Sequence, residues 1–117
     1  MYLTGFNRHE DVPGRNMSPD PEMTRRDLEL MKASGANFVR LCHYPHDTHE
    51  LDLCDELGLL VMDEIPLYWW TGQWDEEHHE AKFATAQRQL RTMIARDVNH
   101  ACIMIWSVSN ETAEPAP

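Results

Sequence analysis

Basic residues are scarce in this sequence. Only 10 Lys and Arg stand against 20 Asp and Glu, for a formal net charge of −10. A surface of that sign offers no basic patch to phosphates, which argues against nucleic acid as a partner. It is also repelled by anionic lipid headgroups, which argues against a membrane surface. Long apolar runs are lacking too, and none approaches the roughly 20 residues that cross a bilayer. No basic stretch followed by an apolar one after Met1 marks a secretory leader, and the sequence carries no compartment signal. The cysteines Cys42, Cys54 and Cys102 are odd in number and do not read as a disulfide framework. Two of them fall in apolar runs, where buried thiols belong. Internal repeats, low-complexity tracts and linkers are absent as well.

What is present is enough for one small core. The 117 residues are 42% hydrophobic, which supports a single globular unit and not two domains. A short apolar opening, Met1 to Phe6, reads as a first strand that empties into Asn7-Arg8-His9-Glu10. Asp20 as N-cap and Pro21 at the first helical position start a helix that carries Met23, Leu28, Leu30 and Met31 towards a core and ends at Gly35. Ala36 to Leu41 is a second strand, with Cys42-His43-Tyr44-Pro45 at its end. Asp47, with Glu50 three residues on, resembles a capping box; the helix it opens bears Leu51, Cys54 and Leu57 and stops at Gly58. Leu59 to Met62 is a third strand, emptying into Asp63-Glu64. An aromatic loop containing Trp69, Trp70 and Trp74 precedes a long helix, Asp75 to Arg96, with Phe83, Ala86, Leu90, Met93 and Ile94 at helical spacing. The apolar run Ala101 to Trp106 is too short for a helix and suits a strand buried on both faces.

Strands alternating with helices predict a parallel sheet. Polar groups gather at every strand's C-terminal end, which is the asymmetry of a barrel whose active site lies at that face. The expected fold is therefore α/β: part of an eight-stranded TIM barrel, with about four parallel strands and three intervening helices.

The most informative stretch runs Asp97-Val98-Asn99-His100, then the apolar run, then Trp106-Ser107-Val108-Ser109-Asn110-Glu111. This order resembles the acid/base signature of glycoside hydrolase family 2, the β-galactosidases and β-glucuronidases. The resemblance implies that Glu111 is the general acid/base and that Asn110 hydrogen-bonds the sugar 2-hydroxyl. Asn7-Arg8-His9-Glu10 resembles the family's first-strand motif, which implies that His9 contacts the sugar. Arg40-Leu41-Cys42-His43-Tyr44-Pro45 resembles its second signature, with His43 on a sugar hydroxyl and Arg40 orienting the nucleophilic carboxylate; Leu41 departs from the small residue of the family pattern. Without the resemblance, Arg40 reads as a structural ion pair with a carboxylate such as Glu111. Asp63-Glu64-Ile65-Pro66 is similar to the third-strand mouth and implies a binding or structural role for Glu64. The metal-binding Glu and His that some β-galactosidases add beyond it are replaced here by Leu67-Tyr68-Trp69-Trp70, so no metal and no cofactor is expected. Trp70 and its neighbours present aromatic faces suited to the C–H face of a pyranose. His46-x-x-His49 with Cys54 has ligand types that suit zinc, but Cys54 falls on the apolar helix stripe.

Family members are retaining hydrolases that use two carboxyl groups about 5–5.5 Å apart. The family's nucleophile lies on a seventh strand, and a complete barrel takes about 250 residues. Residues 1–117 are thus expected to form the N-terminal half of a catalytic barrel, without its second half or the sugar-binding sandwich domains. That half is expected to be inactive alone and to self-associate through exposed strand edges. The expected substrate is a terminal β-galactoside or β-glucuronide. The alternatives are a non-catalytic half-barrel that binds carbohydrate or only assembles with a complementary half, and a β-mannosidase-type hydrolase.

Overall fold

The structure, a computed structural model, describes residues 1–69 and 76–112. Four strands alternate with three helices: β1 Gly5–Arg8, α1 Pro21–Ala33, β2 Phe38–Leu41, α2 Thr48–Leu57, β3 Leu60–Glu64, α3 Glu76–Asp97 and β4 Ile103–Ser107. The strands form one sheet in the order β1-β2-β3-β4, and every neighbouring pair is parallel. The expected strand-helix alternation of a partial eight-stranded barrel is what forms. The strands run further towards the polar ends than the hydrophobic runs alone suggest. Arg8 lies inside β1, and Asp63 and Glu64 lie inside β3, because ladder pairing continues through polar residues whose side chains find partners.

Local chemistry sets the helix ends. Asp20 Oδ1 accepts from the backbone N–H groups of Glu22 and Met23, both at 3.2 Å, as an N-cap should. Asp47 caps α2 by accepting from His49 N at 2.8 Å. Gly58 closes α2 at φ 66°, a left-handed conformation that glycine adopts at little cost. Gly5 is required for a different reason: a Cβ there would sit 1.9 Å from the Phe38 carbonyl oxygen of the neighbouring strand.

One face of the sheet is covered by helices. Val39, Leu41 and Val61 pack there with Leu28 of α1 and with Leu51, Leu53 and Cys54 of α2. A second cluster joins Ala86 and Met93 of α3 to Ile65, with Trp106 against it. All three cysteines are free and buried.

Four expectations are corrected here. Leu30 and Phe83 are exposed, not core. Leu28 and Leu30 are two positions apart, which places them on opposite sides of a helix; nothing among the described residues covers Phe83. Glu50 does not complete a capping box. Its side chain is buried against Arg8 and His46, and the Asp47 N–H goes instead to Glu10 Oε1 at 2.6 Å. Finally, β4 is not buried on both faces. Ile103 and Trp106 pack against the clusters while Met104 is exposed, because the ladder shifts register there: Ile103 pairs with Val61 and Ile105 with Met62, leaving Met104 between them.

Candidate active site

Alternation along β2 and β3 sends Arg40 and Glu64 to the face opposite Val39, Leu41 and Val61. Register then brings β4 alongside, with Ser107 opposite Glu64. The result is a charged network at the C-terminal ends of three strands. Arg40 Nε donates to Glu64 Oε2 at 2.9 Å, and Arg40 Nη2 lies 2.9 and 2.6 Å from the two Glu64 oxygens. Ser107 Oγ donates to Glu64 Oε2 at 2.6 Å. His43 Nδ1 is 2.6 Å from Glu64 Oε1, so that nitrogen carries the hydrogen and Nε2 is left as an acceptor. Glu64 is fully buried, and these donors occupy the roughly four lone-pair directions of its carboxylate. Burial would push its carboxyl up. The hydrogen bonds from Ser107, His43 and Arg40 outweigh that and hold it below the usual carboxylate range.

Arg40 also donates to Asn110 Oδ1 at 2.9 Å. The Asn110 carbonyl is thereby committed, and its amide N–H groups take no acceptor among the described residues. The backbone of Asn110 is pinned from the other side, by Asn110 N to Leu67 O at 2.8 Å and Trp69 N to Asn110 O at 3.2 Å. Glu111 follows at φ 50°, uncommon for a residue with a side chain, and is exposed. Trp69, also at positive φ, donates its indole N–H to Glu111 Oε2 at 2.6 Å. The carboxylate at the mouth of β4 is therefore oriented by an aromatic donor from the loop after β3.

His9 completes the rim. Its ring stands edge-on to His43, with centroids 5.2 Å apart. The loop behind it is held by Tyr44, whose hydroxyl accepts from Glu10 N at 3.1 Å. The peptide bond between Cys42 and His43 is cis.

The structure thus brings Glu111, Asn110, His43, His9, Arg40 and Glu64 to one end of the sheet. Trp70 and Trp74 lie outside the described residues. The Arg40 ion pair is real, but its partner is Glu64 and not Glu111. Glu64 sits beneath the other groups, not at the surface with them. Ser107 was not singled out from sequence as a site residue, and Trp69 was singled out only as an aromatic face for the sugar. Strand period did not signal Ser107, because a register shift in the β3–β4 ladder, between the Val61–Ile103 and Met62–Ile105 pairs, is what puts it opposite Glu64. The Trp69 hydrogen bond had no signal, because it depends on a loop conformation.

Comparisons with known proteins agree with this fold. The family profile described as Glycosyl hydrolases family 2, TIM barrel domain, matches residues 1–116. A β-galactosidase of Vibrio cholerae is 39% identical over 115 residues, which cover 96% of this chain and 11% of that protein. The β-glucuronidase of Bifidobacterium dentium complexed with coumarin-3-O-glucuronide superposes with a TM-score of 0.90 at 32% identity, covering 99% of this chain and 18% of that one. The β-glucuronidase of Parabacteroides merdae gives a TM-score of 0.85 at 39% identity, covering 99% and 14%. The chain therefore spans less than a fifth of the length of these relatives. It belongs to the family 2 glycosyl hydrolases, as part of their TIM barrel domain.

Proposed function

We propose that residues 1–117 form the acid/base-bearing half of a barrel that hydrolyses terminal β-glycosides with retention, the substrate being a β-galactoside or a β-glucuronide. The observation that carries this reading is the pair Asn110-Glu111 at the mouth of β4, one side chain held by Arg40 and the other by Trp69. Glu111 protonates the leaving oxygen and then, as a carboxylate, activates the water that releases the sugar. The fixed indole N–H restricts its swing without occupying both of its oxygens. Asn110, with its carbonyl tied to Arg40, offers its amide N–H groups to the sugar 2-hydroxyl. His43 offers Nε2 to another hydroxyl, because Nδ1 is spent on Glu64. His9 lines the same rim.

A retaining mechanism also needs a nucleophilic carboxylate. Glu64 is unsuited to that part, since its oxygens are already saturated by donors. Its role is to hold Arg40 and His43 in place. The nucleophile then comes from a different strand of the completed barrel, and this half is inactive without it.

The test is Glu111→Gln in an enzyme that contains the whole barrel. Cleavage of aryl glycosides with poor leaving groups should slow by about 10²–10⁴, with a smaller loss in the glycosylation step for activated leaving groups. Equal losses on both would overturn the acid role. Retention on an immobilised sugar with no turnover by the unsubstituted whole-barrel protein would favour a binding module instead.

A further inference from the structure

A second group of ligand-type side chains includes Glu10, the residue after His9. One ligand atom from each of Glu10, His46 and Glu50 lies within 4.8 Å of the others. His46 and Glu50 are each only 1% exposed. A cleft of about 80 Å³, lined by Glu10, Asp47, Glu50 and Thr24 among others, opens beside them. That is room for an ion with a bound water, given the roughly 30 Å³ that each water occupies.

Three features of this group are unsatisfied. Glu50 uses Oε2 twice, accepting from Arg8 Nη1 at 2.8 Å and facing His46 Nδ1 at 3.1 Å, while its buried Oε1 has no partner. His46 Nε2 lies 3.2 Å from the Cys42 carbonyl oxygen, which can only accept, so that nitrogen carries the ring hydrogen. In a neutral imidazole Nδ1 then presents a lone pair to a carboxylate oxygen, a repulsive contact unless a positive centre lies between them. Local charge points the same way. Arg8, which meets the Glu50 carboxylate, is shared with Asp27, and Arg96 reaches only the backbone oxygen of His46, at 3.0 Å, while Glu10 and Asp47 add further carboxylates. Glu10 has spent only Oε1, on the Asp47 N–H.

We propose that Glu10, His46 and Glu50 form a binding site for a divalent first-row cation, of which Zn²⁺ is the best chemical match. One imidazole nitrogen with two carboxylate oxygens is a borderline donor set that suits zinc. The His46 Nε2–H bond to a backbone carbonyl is the orienting contact that metal-bound histidines generally make. A bound ion would tie the segment after β1 to the start of α2. Because Glu10 N is held by Tyr44, it would also fix the loop that carries His9 beside His43. The site differs from the His46, His49 and Cys54 set that sequence spacing suggests, since Cys54 is buried in the hydrophobic cluster.

The experiment is titration of the chelator-treated protein with Zn²⁺, read by calorimetry and by thermal unfolding, and with Co²⁺, read by absorption. One saturable equivalent and a raised Tm are expected. Glu10→Gln keeps an oxygen for the Asp47 N–H, so it should fold normally while weakening Zn²⁺ binding at least about 10-fold. The Co²⁺ form should lack thiolate charge transfer. That separates this site from the two other clusters, His9 with Cys42 and His43, and Asp55 with His100 and Cys102, each of which contains sulfur. No saturable binding, an unchanged affinity in Glu10→Gln, or a thiolate band abolished by Cys42→Ser would each overturn the proposal.

Discussion

Asp63 and Glu64 are consecutive residues of β3, and neither is exposed to solvent, yet their carboxyl groups are driven in opposite directions. Glu64 faces Arg40, His43 and Ser107 on the site side of the sheet and is held ionised. Asp63 points to the helix side. Its Oδ1 accepts from Glu64 N at 3.1 Å, but Oδ2 finds no donor. Across from it is Asp97 at the end of α3, itself gripped by Arg96 at 2.6 and 2.8 Å. Burial, the Asp97 charge and a hydrogen bond shared with Asp97 push the Asp63 carboxyl from its ordinary 3.8 up to about 7. A protonated Asp63 can donate from the oxygen that has nothing to accept. One peptide step separates a carboxylate from a carboxylic acid, so the side of the sheet decides the charge and burial alone does not.

The strongest way to break this contrast is to remove the Glu64 charge. Glu64→Gln leaves the Arg40 guanidinium partly buried without its counter-ion and turns an amide NH₂ towards a donor. Removing one member of a buried pair costs about 3–5 kcal/mol. Urea unfolding near neutral pH should record a loss of that order, and activity of the complete enzyme should fall with it as His43 and Asn110 lose their support. A loss below about 1 kcal/mol would mean that the network does not hold the site together.

The next effect is on pH dependence. Asp63 keeps its proton in the folded state up to about pH 7 and loses it in the unfolded state near the ordinary 3.8. The native state thus binds more protons between those values. The stability Asp63 contributes is full below pH 4 and is lost as pH rises towards 7, at up to about 1.4 kcal/mol per pH unit. Glu64 works in the opposite sense. Its contribution is present above its ordinary value of 4.5 and is lost as pH falls through its lowered folded value. Asp63→Asn should flatten the stability profile between pH 4 and 7 and leave the acid limb intact. Unfolding midpoints measured across that range check this, and an unchanged slope would show that Asp63 ionises normally in the fold.

How much of this could be read from the residues follows the same line. The strand-helix alternation, the helix caps at Asp20 and Asp47 and the stop at Gly58 were legible because each depends on neighbours in sequence. The gathering of His9, His43, Glu64, Asn110 and Glu111 was legible too, because each sits at a strand's end. What escaped were the contacts made across strands. Asp63 and Glu64 look alike in sequence, as one acidic pair after an apolar run. Only register and facing elements reveal that one meets Arg40 and the other meets Asp97. Glu50 is a similar case: three residues after Asp47 it looks like a capping partner, but Arg8 reaches it from β1 and offers a charged hydrogen bond that a cap cannot match. The exposure of Met104 on β4 was missed for another reason, since the register shift of the β3–β4 ladder leaves no mark in the hydrophobic pattern.

The smallest effect gives the sharpest reading of the contrast. Ser107 is the donor that most strongly holds the Glu64 carboxyl down after burial is counted, yet it is neutral and lies on the last strand of the sheet. Ser107→Ala removes one hydrogen bond to a charged group, worth about 1.5–3 kcal/mol, and leaves the Arg40 ion pair in place. Stability should fall less than in Glu64→Gln. The acid limb of the stability profile should move to higher pH, because the folded carboxyl is less depressed. The limb between pH 4 and 7, which belongs to Asp63 on the other face, should not move. If both limbs shift together, the two faces of β3 are electrostatically coupled through the strand, and the side of the sheet does not by itself decide the charge.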